Sequence, residues 1–281
     1  MAMFEYEFMQ RAFWAGAFIG VIAPVLGIYL MLRRQVLMAD TLSHVSLAGV
    51  ALGSVLQWNP AATGFAVAIL GGLLIEQLRR AYRTYSEVPV AITMTSGLAL
   101  AVVLMSFSTN LNKSFSSYLF GSIVAVSKVQ LWMIGGVAAA GIIYFILLKR
   151  PLYNLTFDEE TAQISGGRVR WLSFSLAMLT GMTVASAMPV VGVLLVSSLM
   201  VLPASLALRL ARGFTAALVM AVLLGLTGIF SGLTASYYMD TPPGGTISLI
   251  LLLFLLIGIS AQKARAFLTK RSARVLQRER L

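Results

Sequence analysis

Apolar segments of bilayer-crossing length recur along the whole of this chain, and few folds can be built from them. Nine can be marked, at roughly residues 12–32, 41–57, 62–78, 89–107, 129–148, 172–187, 190–208, 214–236 and 246–262. A membrane helix needs about 20 such residues, because each adds only about 1.5 Å toward a hydrocarbon core about 30 Å thick. Charged residues make up 11% of the sequence, where a soluble domain carries about 25%. Too few charges are available to cover the chain with a water-facing surface. The expected fold is all-α: a polytopic transmembrane helical bundle of about eight to ten spans, with 116–126 as a further short or re-entrant helix. Residues 1–281 read as one domain, with a membrane core over 12–262 and a basic tail over 263–281 that extends the last helix or frays. Glu5, Glu7 and Arg11 precede the first span, unlike the basic start of a cleaved signal, so that span is expected to be permanent.

The net charge of +11 matters here through its position. Of the 21 Lys and Arg residues, 18 fall in five places: Arg33/Arg34; Arg79, Arg80 and Arg83; Lys149, Arg150, Arg168 and Arg170; Arg209/Arg212; and the tail from Lys263 to Arg280. With nine spans, all five lie on one side, and positive residues stay cytoplasmic. The N-terminus is thus predicted outside and the C-terminus inside. Anionic lipid headgroups, not nucleic acid, are the expected partners of these clusters. With no cysteine, disulfides and thiolate metal sites are excluded.

One cytoplasmic loop, 149–171, reads KRPLYNLTFDEETAQISGGRVRW. Thr156 and Glu159 fit a capping box that starts a helix, and Gly166 and Gly167 fit its end. Asp158, Glu159 and Glu160 supply three of the chain's ten acids. A short helix on the cytoplasmic face suits docking to a partner; a solvated connector is the plainer alternative.

Ionisable residues inside membrane spans are costly and usually functional. Asp40 and His44, at the start of the second span, stand out, and His44 is the only histidine. Four residues apart on a helix, they share a face. A carboxylate oxygen and an imidazole nitrogen are good ligands for zinc or manganese. The alternative makes Asp40 a helix cap and His44 a donor to a neighbouring carbonyl. Glu76 precedes Arg79 and Arg80 and is expected to form local ion pairs. The 14 methionines read as lipid-facing or packing residues, with Met38 a weak ligand candidate. Gly, Ser and Ala in 179–207 suit close helix packing, with Pro189 and Pro203 as expected helix interruptions. No G-x-x-x-x-G-K-[ST] loop is present, so the chain lacks that device for ATP hydrolysis. A secondary transporter coupled to protons would need membrane carboxylates, and only Asp40 and Glu76 are available; a scaffolding subunit would need neither Asp40 nor His44.

LRRQVLMADTLSHVSLAGVALG (Leu32–Gly53) resembles the signature of zinc and manganese ABC-importer permeases, and VVGVLLVSSLMVLPASLALRLA (Val190–Ala211) resembles a later block of that family. The loop FDEETAQISGG resembles its coupling segment. The resemblance implies a permease dimer in a bacterial inner membrane, two cytoplasmic ATPase subunits that bind ATP, and an extracytoplasmic metal-binding protein that delivers the ion. It maps the metal contacts onto Asp40 and His44 and the coupling element onto Leu155–Gly167, including Thr156, Phe157, Asp158, Glu159, Glu160 and Gly166. Thr41, Ser46 and Leu47 around the histidine resemble zinc members more than manganese members. ATP hydrolysis is then expected on a separate subunit.

Overall fold

The structure, a computed structural model, describes residues 5–82, 87–107, 112–122, 124, 126–157 and 169–278. Among these the chain is all-α. In order the helices are α1 (Glu7–Leu32), α2 (Met38–Val55), α3 (Pro60–Ala81), α4 (Val88–Ser106), α5 (Asn112–Phe120), α6 (Lys128–Leu147), α7 (Lys149–Phe157), α8 (Val169–Val191), α9 (Val196–Leu210), α10 (Phe214–Met239) and α11 (Pro243–Arg278). Each of the nine expected segments is a helix, and α5 covers part of the expected short one.

Local sequence sets the ends. Asn59 precedes Pro60, and its side-chain oxygen accepts from the backbone N–H groups of Ala61 (3.0 Å) and Ala62 (3.2 Å), starting α3. Ser127 and Gln130 form a reciprocal capping box at the start of α6. Asp240, in the left-handed region at φ 50°, closes α10.

Among the described residues seven helices are long and apolar enough to cross a membrane: α1, α3, α4, α6, α8, α10 and α11 as far as Ala264. The other two expected spans, α2 and α9, are different in kind. α9 has only 15 residues, and α2 is long enough but too polar. α2 is walled in by α3 and α4, its most extensive contacts, and by α8 and α9. Thirteen of its 18 residues are buried. α1 packs against α6, α8, α9 and α10, so α1, α2 and α8 form the interior of the bundle.

Three local expectations are corrected. Thr156 is not a helix cap: it lies near the end of α7, and its hydroxyl donates to the Leu152 carbonyl at 2.6 Å, while the expected helix beyond Phe157 lies outside the described residues. α7 begins at Lys149, with Pro151 in the first turn, where its missing N–H has no intrahelical partner to lose. Leu152 and Leu155 then bury one side of it. Pro203 does not interrupt α9, which runs unbroken through it; its cost is one backbone hydrogen bond, outweighed by packing against α1, α10 and α11. Pro189 lies inside α8, two residues from its end. The tail continues α11 to Arg278.

Candidate metal centre

From Met38 to Ala51, every residue of α2 is buried except Asp40 and His44. The i, i+4 spacing places both on one face, and that is the face the chain's other helices leave partly open. Asp40 lies in the first turn, where the helix dipole favours a carboxylate. It does not cap the helix, which starts without a side-chain cap. Its contact is instead on another helix: Ser197 Oγ, in the first turn of α9, donates to Asp40 Oδ1 at 3.4 Å.

His44 does not follow the plainer alternative at Nδ1. That atom is buried and has no hydrogen-bond partner. Leaving such a group unsatisfied costs about 1–3 kcal/mol. In the Nε2–H tautomer, Nδ1 offers a lone pair, so a cation is a chemically apt partner for it. Among the described residues no group of three or more His, Cys, Asp and Glu side chains could hold a metal ion. Among the described residues Asp40 and His44 are thus a pair of candidate ligands, where a zinc shell takes roughly four.

The position of α9 depends on a turn that sequence spacing did not reveal. Gly121 (φ 78°) and Gly192 (φ 88°) both occupy the left-handed region and pack against each other. Ser122 N–H donates to the Pro189 carbonyl (3.1 Å), and Val193 N–H donates to the Tyr118 carbonyl (2.9 Å). These bonds tie the end of α5 to the break between α8 and α9 at Gly192, five residues before Ser197, and so fix where α9 begins.

At the N-terminal end of α2, Glu76 is 2% exposed and forms the expected local ion pairs. Arg79 donates to it twice, at 3.0 and 3.2 Å. Arg80 Nη2 lies 3.1 Å from Glu76 Oε1 without hydrogen-bond geometry. With its amide turned so that both groups are satisfied, Gln35 accepts from the same Arg79 guanidinium. A cavity of about 370 Å³ lies here, lined by Arg33, Gln35, Met38, Glu76, Arg79 and Glu87 among others. Arg33 also donates to Ser173 Oγ of α8 at 2.9 Å.

Of the expected coupling residues, Thr156 is buried and Phe157 is exposed at the end of α7, while Asp158, Glu159, Glu160 and Gly166 lie outside the described residues. α7 itself is firmly seated. Tyr153 and Phe157 pack on Phe214 of α10 (ring centroids 5.2 and 5.9 Å), and Phe214 packs on Tyr29 of α1 (5.5 Å).

Residues 5–262 match the ABC 3 transport family. The chain belongs to that family. It is a multi-pass membrane transport subunit and not an enzyme, and ATP hydrolysis belongs to a separate subunit. The resemblance carried by the blocks at 32–53 and 190–211 thus holds at the level of the family. The chain is 35% identical over 258 residues to a Treponema pallidum protein named a probable metal transport system membrane protein, covering 92% of this chain and 97% of that one. It is 31% identical over 253 residues to the manganese import system permease protein ScaB of Streptococcus parasanguinis, covering 90% of each. It is 29% identical over 242 residues to the high-affinity zinc uptake system membrane protein ZnuB of Haemophilus influenzae, covering 86% and 93%. Among solved structures, PsaBC from Streptococcus pneumoniae in complex with Fab contains a chain that superposes with a TM-score of 0.81 at 26% identity, over 91% of this chain and 92% of that one.

Proposed function

We propose that this ABC 3 transport family member forms the passage for a divalent transition metal ion, and that Asp40 and His44 contact the ion as it crosses. The observation that carries this reading is the face of α2: two potential ligands one turn apart, alone unburied between Met38 and Ala51, with an unpartnered imidazole nitrogen. Zinc is the favoured cargo, because an imidazole with a carboxylate suits zinc. Manganese is the second reading, supported by the name of the Streptococcus parasanguinis relative.

Two ligands are too few for a held ion and suit a passing one, since a conduction site must also release. A second copy of the chain would bring a second Asp40–His44 pair to a shared axis. The basic clusters support a cytoplasmic placement of the α1–α2, α3–α4, α6–α8 and α9–α10 connections. On that face the segment 155–167, following the aromatic anchor of α7, docks the ATPase; an extracytoplasmic metal-binding protein delivers the ion from the other side. Proton coupling is less well supported: Glu76, the other carboxylate within a span, is buried and engaged by two arginines.

The test is zinc and manganese accumulation by cells carrying Asp40→Ala or His44→Ala. Both variants should lose uptake at unchanged membrane abundance. Normal uptake in either would remove that residue from the passage.

A further inference from the structure

Resting on the reading of Asp40 and His44 above, we infer that Ser197 of α9 is a third donor to the passing ion, through its hydroxyl oxygen, and sets how well manganese is accepted. Many of the described helical hydroxyls fold back onto a carbonyl of their own helix, as Ser43 does to Ala39 (3.0 Å) and Ser198 does to Leu195 (2.6 Å). Ser197 instead reaches across to Asp40 Oδ1, on a helix 157 positions away in sequence.

The distance is informative. At 3.4 Å the pair is longer than a good O–H···O hydrogen bond, which runs about 2.5–3.0 Å. It is an apt separation for co-ligands. Two oxygens each about 2.0–2.2 Å from one ion stand roughly 2.8–3.6 Å apart, across octahedral to tetrahedral geometry. An ion seated between α2 and α9 would meet Asp40 and Ser197 oxygens without moving either helix.

The neighbouring groups agree. Ser198 pairs with Ser248 of α11 at 2.6 Å, so the hydroxyl next to Ser197 in sequence is already satisfied and Ser197 is the one turned to α2. Its anchor, the Gly192 turn, is bonded to α5 rather than free to swing. A hydroxyl is a hard oxygen donor, and oxygen donors suit manganese, whereas imidazole suits zinc. Ser197 therefore widens an Asp–His pair that favours zinc into a site that also takes manganese.

The experiment is competitive uptake of Mn²⁺ and Zn²⁺ by cells expressing the full chain with its own transport partners, with membrane abundance measured for each variant. Ser197→Ala should raise the half-saturating Mn²⁺ concentration about tenfold, while that for Zn²⁺ changes clearly less. Ser197→Thr, which keeps the hydroxyl, should restore Mn²⁺ uptake. Equal losses for the two ions, no change for Mn²⁺, or failure of Ser197→Thr to restore it would each overturn the inference. Asp40→Ala run alongside separates the two levels. If it abolishes uptake while Ser197→Ala leaves Mn²⁺ uptake unchanged, only Ser197 loses its role. If Asp40→Ala itself leaves uptake intact, the metal-contact reading falls and this inference with it.

Discussion

Replacing Glu76 by alanine should destabilise the chain more than any other single loss of a carboxylate among those described. Glu76 is 2% exposed, and the side chains of Arg79 and Arg80 are 16% and 31% exposed. Two unit charges about 4 Å apart attract by about 4 kcal/mol at an effective dielectric of 20. Desolvation offsets much of that, so the pair adds little net stability over an apolar equivalent. Breaking it is another matter. The Glu76→Ala variant leaves Arg79 nearly enclosed, with Gln35 as its remaining partner described here. Removing one member of a buried pair costs about 3–5 kcal/mol, and the partial exposure of Arg79 places the cost near the low end, about 3 kcal/mol. Arg80, more exposed and poorly aligned, contributes at most about 1 kcal/mol.

The assay is thermal unfolding of the purified full chain in detergent, run as a double-mutant cycle. Glu76→Ala should lower the melting temperature by several degrees. Glu76→Ala with Arg79→Ala should lose less than the sum of the two single variants, by at least about 1 kcal/mol, because removing both members leaves no orphaned Arg79 charge and only the more exposed Arg80 without its carboxylate. Additive losses, or a Glu76→Ala variant as stable as the natural protein, would refute this account of the network.

Gly192→Ala should destabilise the chain by at least about 2 kcal/mol, read in the same melt, because φ 88° is unfavourable for alanine and the added Cβ would meet the Leu119 carbonyl and the Gly121 nitrogen. Metal uptake per folded molecule should fall as well, since this turn sets the start of α9. Asn59→Ala should cost only about 1 kcal/mol, the loss of one helix cap, and leave uptake unchanged.

Much of the fold was legible because lipid imposes one rule, that backbone polar groups be satisfied within the segment, and long apolar runs then become helices. Asp40 and His44 were legible for the same reason: an ionisable pair at helical spacing stands out against an oily background. What stayed hidden depended on contacts far apart in sequence. Ser197 sits in a block that was recognised, yet nothing in VSSLM says that the first serine faces α2 and the second faces Ser248. Gln35 gives no sign that its amide meets Arg79. Thr156 misled as a cap because its distance from Glu159 fits a capping box; the local pattern omitted the pull of Leu152 and Leu155 into the bundle, which holds Thr156 inside α7.

Hydropathy carries a further message when read in reverse. α2 and α9 are the two expected spans that fall short of a lipid-crossing helix, one too polar and one too short. They are also the two that bear Asp40, His44 and Ser197. A charged group at the bilayer centre costs about 2.5–3.5 kcal/mol even on insertion-based scales, so a helix that carries ligands must be shielded from lipid. The bundle supplies that shield. In α4, α6 and α11 no more than 22% of the most apolar window is buried, as fits lipid-facing helices, whereas α2 is enclosed by α3, α4, α8 and α9. The segments least like membrane helices are thus the ones enclosed by their neighbours, and the one face of α2 left partly open is the face that holds Asp40 and His44.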